Sequence, residues 1–219
     1  MSEEAWVSWS CGKDSALALA KVRTGGGVVA GLLTTTVHGA EVAMSRVPVE
    51  LLRRQAVALG LPVEVVDLPW PCPNEVYERA MATAHEKLQR DGITHMVFGD
   101  LFLEDVRAYR EQKLGGTGIT PVFPLWKRPT LPLAHAMIES GLEAYLATVD
   151  LKHLPAEFAG RRFDLSLLAD LPGGVDPCGE NGEFHTCVVA ASFFSRRLPV
   201  ATGERVERDG YAYCDLVME

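Results

Sequence analysis

Ser10-Cys11-Gly12-Lys13-Asp14-Ser15 stands between two stretches of different character, Ala5-Trp6-Val7-Ser8-Trp9 before it and Ala16-Leu17-Ala18-Leu19-Ala20 after it. An apolar run, a turn of small residues and an alanine- and leucine-rich run read as strand, loop and helix. The backbone N–H groups of such a loop, with the positive end of the helix dipole, favour an anion beyond the strand. Lys13 adds a full positive charge, Ser10 and Ser15 add hydroxyls, and Asp14 can hold a cation. The stretch therefore predicts a phosphate site.

Working outward, residues 4–9 read as the first strand and 13–24 as the first helix, which stops at Gly25-Gly26-Gly27. Val28 to Thr34 is a short apolar run rich in β-branched residues, a buried second strand. Val49 to Leu59 carries apolar residues at helical spacing, Val63 to Leu68 is a third strand, and Asn74 is placed as the N-cap of a helix running to about Arg90. His95 to Phe98 is a fourth strand ending at Gly99-Asp100. Strands separated by single helices imply right-handed crossovers and a parallel sheet, with ligands beyond the carboxyl ends of the strands. The loops at 10–15, 34–46 and 99–105 should then converge.

Past this point the alternation weakens. Glu104 to Lys113 is a charged helix, Thr120 to Trp126 a strand or extended segment, and Pro129 and Pro132 bracket a boundary near residue 130. Beyond it follow a helix (133–140), a strand (144–149), a helix (163–171), a glycine-rich loop, and strands at 185–191, near 200–207 and at 211–217. The expected fold is α/β: a parallel twisted sheet with flanking helices and a smaller C-terminal α+β domain. The boundary divides the chain into 1–130 and 131–219, parts to which the family resemblance described below assigns ATP binding and substrate binding.

The 219 residues are 47% hydrophobic and 23% charged, enough apolar material for a real core. A formal charge of −8 argues against a general nucleic-acid binder. Five scattered cysteines without C-x-x-C spacing predict reduced thiols rather than a zinc site or a disulfide framework. No apolar run approaches a membrane span, and the chain opens Met-Ser-Glu-Glu rather than with a basic leader, so the cytoplasm is the expected compartment.

A Walker loop requires G-x-x-x-x-G-K-[ST], and here Asp14 follows Gly12-Lys13 while Val7 occupies the first glycine position. The loop instead resembles the S-G-G-K-D-S pyrophosphate loop (PP-loop) of the ATP pyrophosphatase and adenine nucleotide alpha-hydrolase-like (HUP, Rossmann-like) superfamily, with Cys11 replacing the first glycine. That turn survives the replacement unless the position needs a positive φ. The resemblance extends to the diphthine–ammonia ligase-like family through Val97 to Arg107, through Pro121-Val122-Phe123-Pro124-Leu125-Trp126, and through Gly179-Glu180-Asn181-Gly182-Glu183-Phe184-His185-Thr186. The last is similar to that family's G-E-x-G-E-[YF]-x-T, with His185 where the family commonly has Glu.

The resemblance implies cleavage of ATP to AMP and pyrophosphate, adenylation of a carboxylate, and displacement of AMP by ammonia to leave an amide. It implies that Ser10, Gly12, Lys13 and Ser15 hold the pyrophosphate, with Cys11 and Asp14 in the same ATP-binding loop, that backbone near Leu33-Thr34-Thr35 pairs with the base, and that Gly99 and Asp100 complete the ATP site. Thr36 to Gly39 and Met44-Ser45-Arg46 lie close by in sequence. Mg²⁺ would be held by Asp14 and Asp100; Asp14 is otherwise an acidic helix N-terminal residue favoured by the dipole. Lys13, Asp14, Glu183 and His185 are the expected catalytic residues, and Glu180, Asn181, Gly182, Glu183 and Thr186 the expected substrate contacts. Arg107, Tyr109 and Arg110 on the helix after Asp100 are further candidates to face the cleft.

The expected partners are ATP, a carboxylate on a small molecule or a modified protein side chain, and ammonium, with no membrane. The chain is compatible with a homodimer paired through its terminal strands. Two other readings share the loop: an adenylating enzyme with a different acceptor, as in thiolation or transfer-RNA modification, and a nucleotide-binding regulatory protein without turnover.

Overall fold

The computed structural model describes residues 4–219, so most of the acidic Met-Ser-Glu-Glu opening lies outside the described residues. Strands β1 (Glu4–Ser8), β2 (Val28–Val37), β4 (Val63–Leu68), β5 (His95–Val97) and β6 (Thr120–Val122) form one sheet; β3 (Glu41–Val42) joins it. Strand β1 pairs in parallel with β2 and β5, β4 with β2, and β6 with β5. The parallel order is thus β4-β2-β1-β5-β6, with β3 antiparallel on the far end of β2. Because β1 sits between β2 and β5, the loops after β1 and β5 open a crevice at the point where the strand order reverses.

The helices form where the apolar spacing demands. Helix α1 (Lys13–Thr24) buries Ala16, Ala18 and Leu19, and its last turn closes onto Gly25. Helix α2 (Val49–Leu59) buries Leu51, Leu52, Gln55, Ala56 and Leu59 on one face, at the three- and four-residue spacing of an amphipathic helix. Helix α3 (Asn74–Arg90) buries Ala84, His85 and Leu88, and α4 (Glu104–Leu114) buries Leu114. A second, antiparallel sheet runs β8-β7-β10-β9, from β7 (Glu143–Asp150), β8 (Phe184–Ala190), β9 (Val200–Arg208) and β10 (Tyr211–Met218). Helices α5 (Thr130–Glu139) and α6 (Leu165–Asp170) complete the chain, the latter capped by Asp164, whose Oδ1 accepts from the Leu167 amide at 2.9 Å.

Three local expectations shift. Strand β2 runs on to Val37 and turns into β3, so much of the expected 34–46 loop is a hairpin, held by Ala43 N–H donating to the Thr35 carbonyl at 3.0 Å. Asn74 is the first helical residue rather than the cap: Pro73 precedes it in an extended conformation, and the Asn74 side chain donates forward to Glu78 at 3.0 Å. The extended segment at 120–126 keeps only three residues as strand before turning.

The boundary near residue 130 coincides with the start of α5, but no gap in packing marks it. Leu19, Leu51 and Leu52 share one core with Val188, Val189 and Leu198, while a smaller cluster of Leu33, Ala84, Leu88, Met96, Phe98 and Leu114 lies under α3 and α4. Strand β8 is the seam: Val188 N–H donates to the Cys11 carbonyl at 2.9 Å. All five cysteines are free thiols, and no helix among the described residues is long and apolar enough to cross a membrane.

Candidate active site

The loop Ser10–Ser15 is shaped by both halves of the chain. Cys11 has φ +65°, the left-handed region, so the position that expects glycine does take a positive φ. Its carbonyl is fixed from outside, accepting from Val188 N–H at 2.9 Å and from Gln55 Nε2 at 3.1 Å. Ser15 Oγ donates to the Gly12 carbonyl at 2.9 Å and lies 3.2 Å from Ser10 Oγ. Thr186 Oγ1, on β8, accepts from the Lys13 amide at 3.1 Å and so satisfies one of the donors that open a helix. Gly99 presses on the same turn: a Cβ there would lie 2.8 Å from the Asp14 carbonyl carbon and 2.9 Å from the Ser15 nitrogen.

A cavity of about 380 Å³ opens above this loop. The expected convergence is present, since Ser10, Gly12, Thr35, Met44, Gly99 and Asp100 all line it. The volume lies in the range of small-molecule sites. Glu180, His185 and Thr186 close it from the second half of the chain, and helices α3 and α4 wall the side under the sheet.

The charged groups divide sharply in their commitments. Lys13 is buried; its Nζ donates to Asp14 Oδ2 at 2.9 Å and to the Cys178 carbonyl, and it sits 5.2 Å and 5.4 Å from the centres of the Phe184 and Phe163 rings. Burial pulls the ammonium down, but Asp14 first, with Glu180 behind it, outweighs burial and raises its pKa. Burial also pushes the Asp14 carboxyl up, against the pull of Lys13. The two shifts compete over one ion pair; Asp14 stays ionised because neutralising it would strand the Lys13 charge. Asp14 Oδ1 is buried without a partner.

Asp100 lines the cavity too, but both its oxygens are taken by Arg110, at 2.7 Å and 3.0 Å. As a metal ligand, then, Asp14 fits through its free oxygen, and Asp100 does not fit while paired with Arg110. Glu180 bridges the halves: its Oε1 accepts from the Leu101 amide at 2.7 Å. Burial, with Asp14 and Asp100 nearby, pushes its carboxyl up to about 7.

Two expected catalytic groups are placed otherwise than anticipated. The Glu183 carboxylate is 1% exposed and does not line the cavity. It accepts from the Asp176 amide, the Asn181 amide and Asn181 Nδ2, all within 3.0 Å, and so ties the turn that presents Glu180. His185 does line the cavity, but burial and Lys13 lower its pKa to about 4, so it is a neutral imidazole at pH 7 rather than a ready proton donor. Asn181 serves Glu183, Gly182 lines the cavity, and Thr186 holds the loop.

Of the residues expected at the base, Thr35 lines the cavity, whereas the Thr34 hydroxyl donates to the Trp9 carbonyl at 2.8 Å. Tyr109 and Arg110 face the cavity. Arg107 does not; it lies 4.7 Å from the Trp126 ring and pairs with Glu111. His38 is exposed, and Arg46 pairs with Glu41 at 3.0 Å.

Two contributors carry no motif. Gln55, fully buried, receives the Trp9 indole N–H at 2.8 Å and donates to the carbonyls of Cys11 and Val188. Tyr77, Met81 and His85 of α3 line the cavity. Their four-residue spacing puts them on one helix face, the signal that a periodicity reading could have used.

Residues 129–218 match the family of the diphthamide synthase C-terminal domain. The chain is 28% identical over 127 residues to a diphthine–ammonia ligase from Danio rerio; the match takes in 55% of this chain and 48% of that protein, so the chain spans about half the length of this relative. A crystal structure described as a predicted subunit of a tRNA methyltransferase from Methanocaldococcus jannaschii superposes with a TM-score of 0.47 at 19% identity, covering 86% of this chain and 98% of the other. The second half of the chain is thus similar to a diphthamide synthase C-terminal domain, and the chain is similar over 127 residues to a diphthine–ammonia ligase.

Proposed function

We propose that the chain is an ATP-dependent, AMP-forming amide ligase: ATP adenylates a carboxylate, pyrophosphate leaves, and ammonia replaces AMP. The observation that carries this reading is the meeting, in one cavity, of the α1 N-terminus and Lys13 with the Glu180 carboxyl from the second half of the chain. The loop amides and the Lys13 charge suit negative charge that grows on the departing pyrophosphate. Mg²⁺ bound at the free Asp14 Oδ1 would neutralise phosphate charge.

Glu180 suits the second half-reaction. A carboxyl near 7 is poised to take a proton from ammonium at neutral pH. The ammonia so formed attacks the acyl carbon, a C–N bond forms as the C–O bond to AMP breaks, AMP leaves with that bond's electron pair, and the new amide nitrogen and Glu180 each release one proton to solvent. Glu183 acts at one remove, by holding the turn.

Incubation with ATP, Mg²⁺, ammonium and a panel of carboxylic acids tests the assignment. AMP and pyrophosphate are the expected products. ADP and inorganic phosphate would refute it, and tight ATP binding without turnover on any acid would favour a regulatory module.

A further inference from the structure

We propose that His85 reads the base of the nucleotide through its ring Nε2, an inference that rests on the ATP reading above. Among the described residues three buried side-chain polar atoms lack a partner: Asp14 Oδ1, Ser45 Oγ and His85 Nε2. Asp14 and His85 line the same cavity, and Ser45 does not. An unsatisfied buried polar atom is costly, so such atoms call for an explanation, and a ligand that satisfies them is one.

The two orphans sit in different surroundings. Asp14 stands beside Lys13 at the loop, where the phosphates belong. His85, 7% exposed, belongs to α3, and around it the cavity is lined by Leu33, Met81, Met96, Phe98 and Leu114. Burial lowers the pKa of His85, so its imidazole is neutral at pH 7 and offers uncharged hydrogen bonding inside apolar walls. A molecule that suits both ends carries an anionic group with a bound cation, the cation satisfying the Asp14 oxygen and the anion suiting Lys13, and a flat, weakly polar group for His85. That is the description of a nucleotide, and Leu33, at the expected base site, belongs to the apolar wall.

Discrimination follows from the same chemistry. One imidazole nitrogen among apolar side chains can satisfy one edge of adenine, whereas guanine brings further polar groups into walls that leave them unpaired.

The test uses the full chain with Mg²⁺ and measures affinity for ATP, GTP and inorganic tripolyphosphate by calorimetry, in wild type, His85→Leu and His85→Gln. Wild type should prefer ATP over GTP. His85→Leu should bind ATP about tenfold more weakly, as expected for one buried hydrogen bond, with tripolyphosphate affinity unchanged. His85→Gln, which restores a donor and an acceptor, should recover part of the loss; it also decides the matter if His85→Leu does not fold. Unchanged ATP affinity in the folded variants overturns the role of His85 and leaves the ATP reading intact. Equal losses for ATP and tripolyphosphate overturn it as well, because they mark a general distortion. Wild type binding neither ligand overturns the ATP reading, and this inference with it.

Discussion

Replacing Gln55 by Leu tests whether this amide ties the Ser10–Ser15 loop to the second half of the chain. The amide accepts the Trp9 indole N–H at 2.8 Å and donates to the carbonyls of Val188 at 2.7 Å and Cys11 at 3.1 Å. Leucine has nearly the same volume, so no large cavity opens and the loss is in hydrogen bonding. The Cys11 carbonyl keeps the Val188 amide, but the Trp9 N–H and the Val188 carbonyl lose these bonds inside the core. At roughly 1–3 kcal/mol for each stranded group, the cost is about 2–6 kcal/mol. Against a typical total of about 5–15 kcal/mol, that is a large share of the stability. Urea unfolding followed by tryptophan fluorescence should report it, with Arg54→Ala on the exposed face of α2 as a control expected to stay within about 0.5 kcal/mol. Because Cys11 holds a left-handed backbone against its own preference, freeing its carbonyl from Gln55 should also weaken ATP binding. A Gln55→Leu protein with the stability of Arg54→Ala would refute the claim that this amide links the halves.

Glu183→Gln should destabilise the protein at pH 7 by about 1.5–3 kcal/mol, since it removes a carboxylate bound by three donors. Burial alone would raise the Glu183 carboxyl, but Asn181 and the Asp176 amide overcome it and hold the pKa below the usual range. A depressed folded-state pKa stabilises above the unfolded value and is lost as pH falls through the folded one, so the gap to wild type should close in acid; a gap independent of pH counts against the reasoning. Glu180 has the opposite sign. Its pKa of about 7 lies above the unfolded value, so the folded state holds the extra proton and stability falls as pH rises from about 4.5 through 7. Melting temperatures of the metal- and nucleotide-free protein should show Glu180→Gln gaining on wild type between pH 5 and 8, and parallel curves would contradict this. Gly99→Ala puts a methyl group 2.8 Å from α1 backbone, an overpacking cost of about 1–3 kcal/mol that an unchanged melting temperature would disprove.

Much of the first sheet was legible in the chain itself. The strand–loop–helix at Ser10–Ser15 rests on local signals, an apolar run, small residues and a helix with a Gly25 stop, and these need no distant partner to be read. Helix α2 and strand β4 follow in the same way from spacing, with the bounds expected. The convergence of the loops after β1, β2 and β5 was legible through topology, because the handedness of crossovers leaves few alternatives. What the tertiary structure alone decided is which polar side chains are free. Asp100 and Asp14 look alike in sequence; only packing brings Arg110 onto one and leaves an oxygen of the other bare. Glu180 and Glu183 stand in one motif three residues apart, yet the turn before β8 sends the first into the cavity and the second back into the turn itself. Gln55 and His85 carry no motif because their roles come from partners 44 to 133 residues away or from a wall assembled by separate elements. Hydrogen-bond commitment is a property of three-dimensional neighbours, and so the loop motif is legible locally while only the fold decides which polar groups stand free in the cavity.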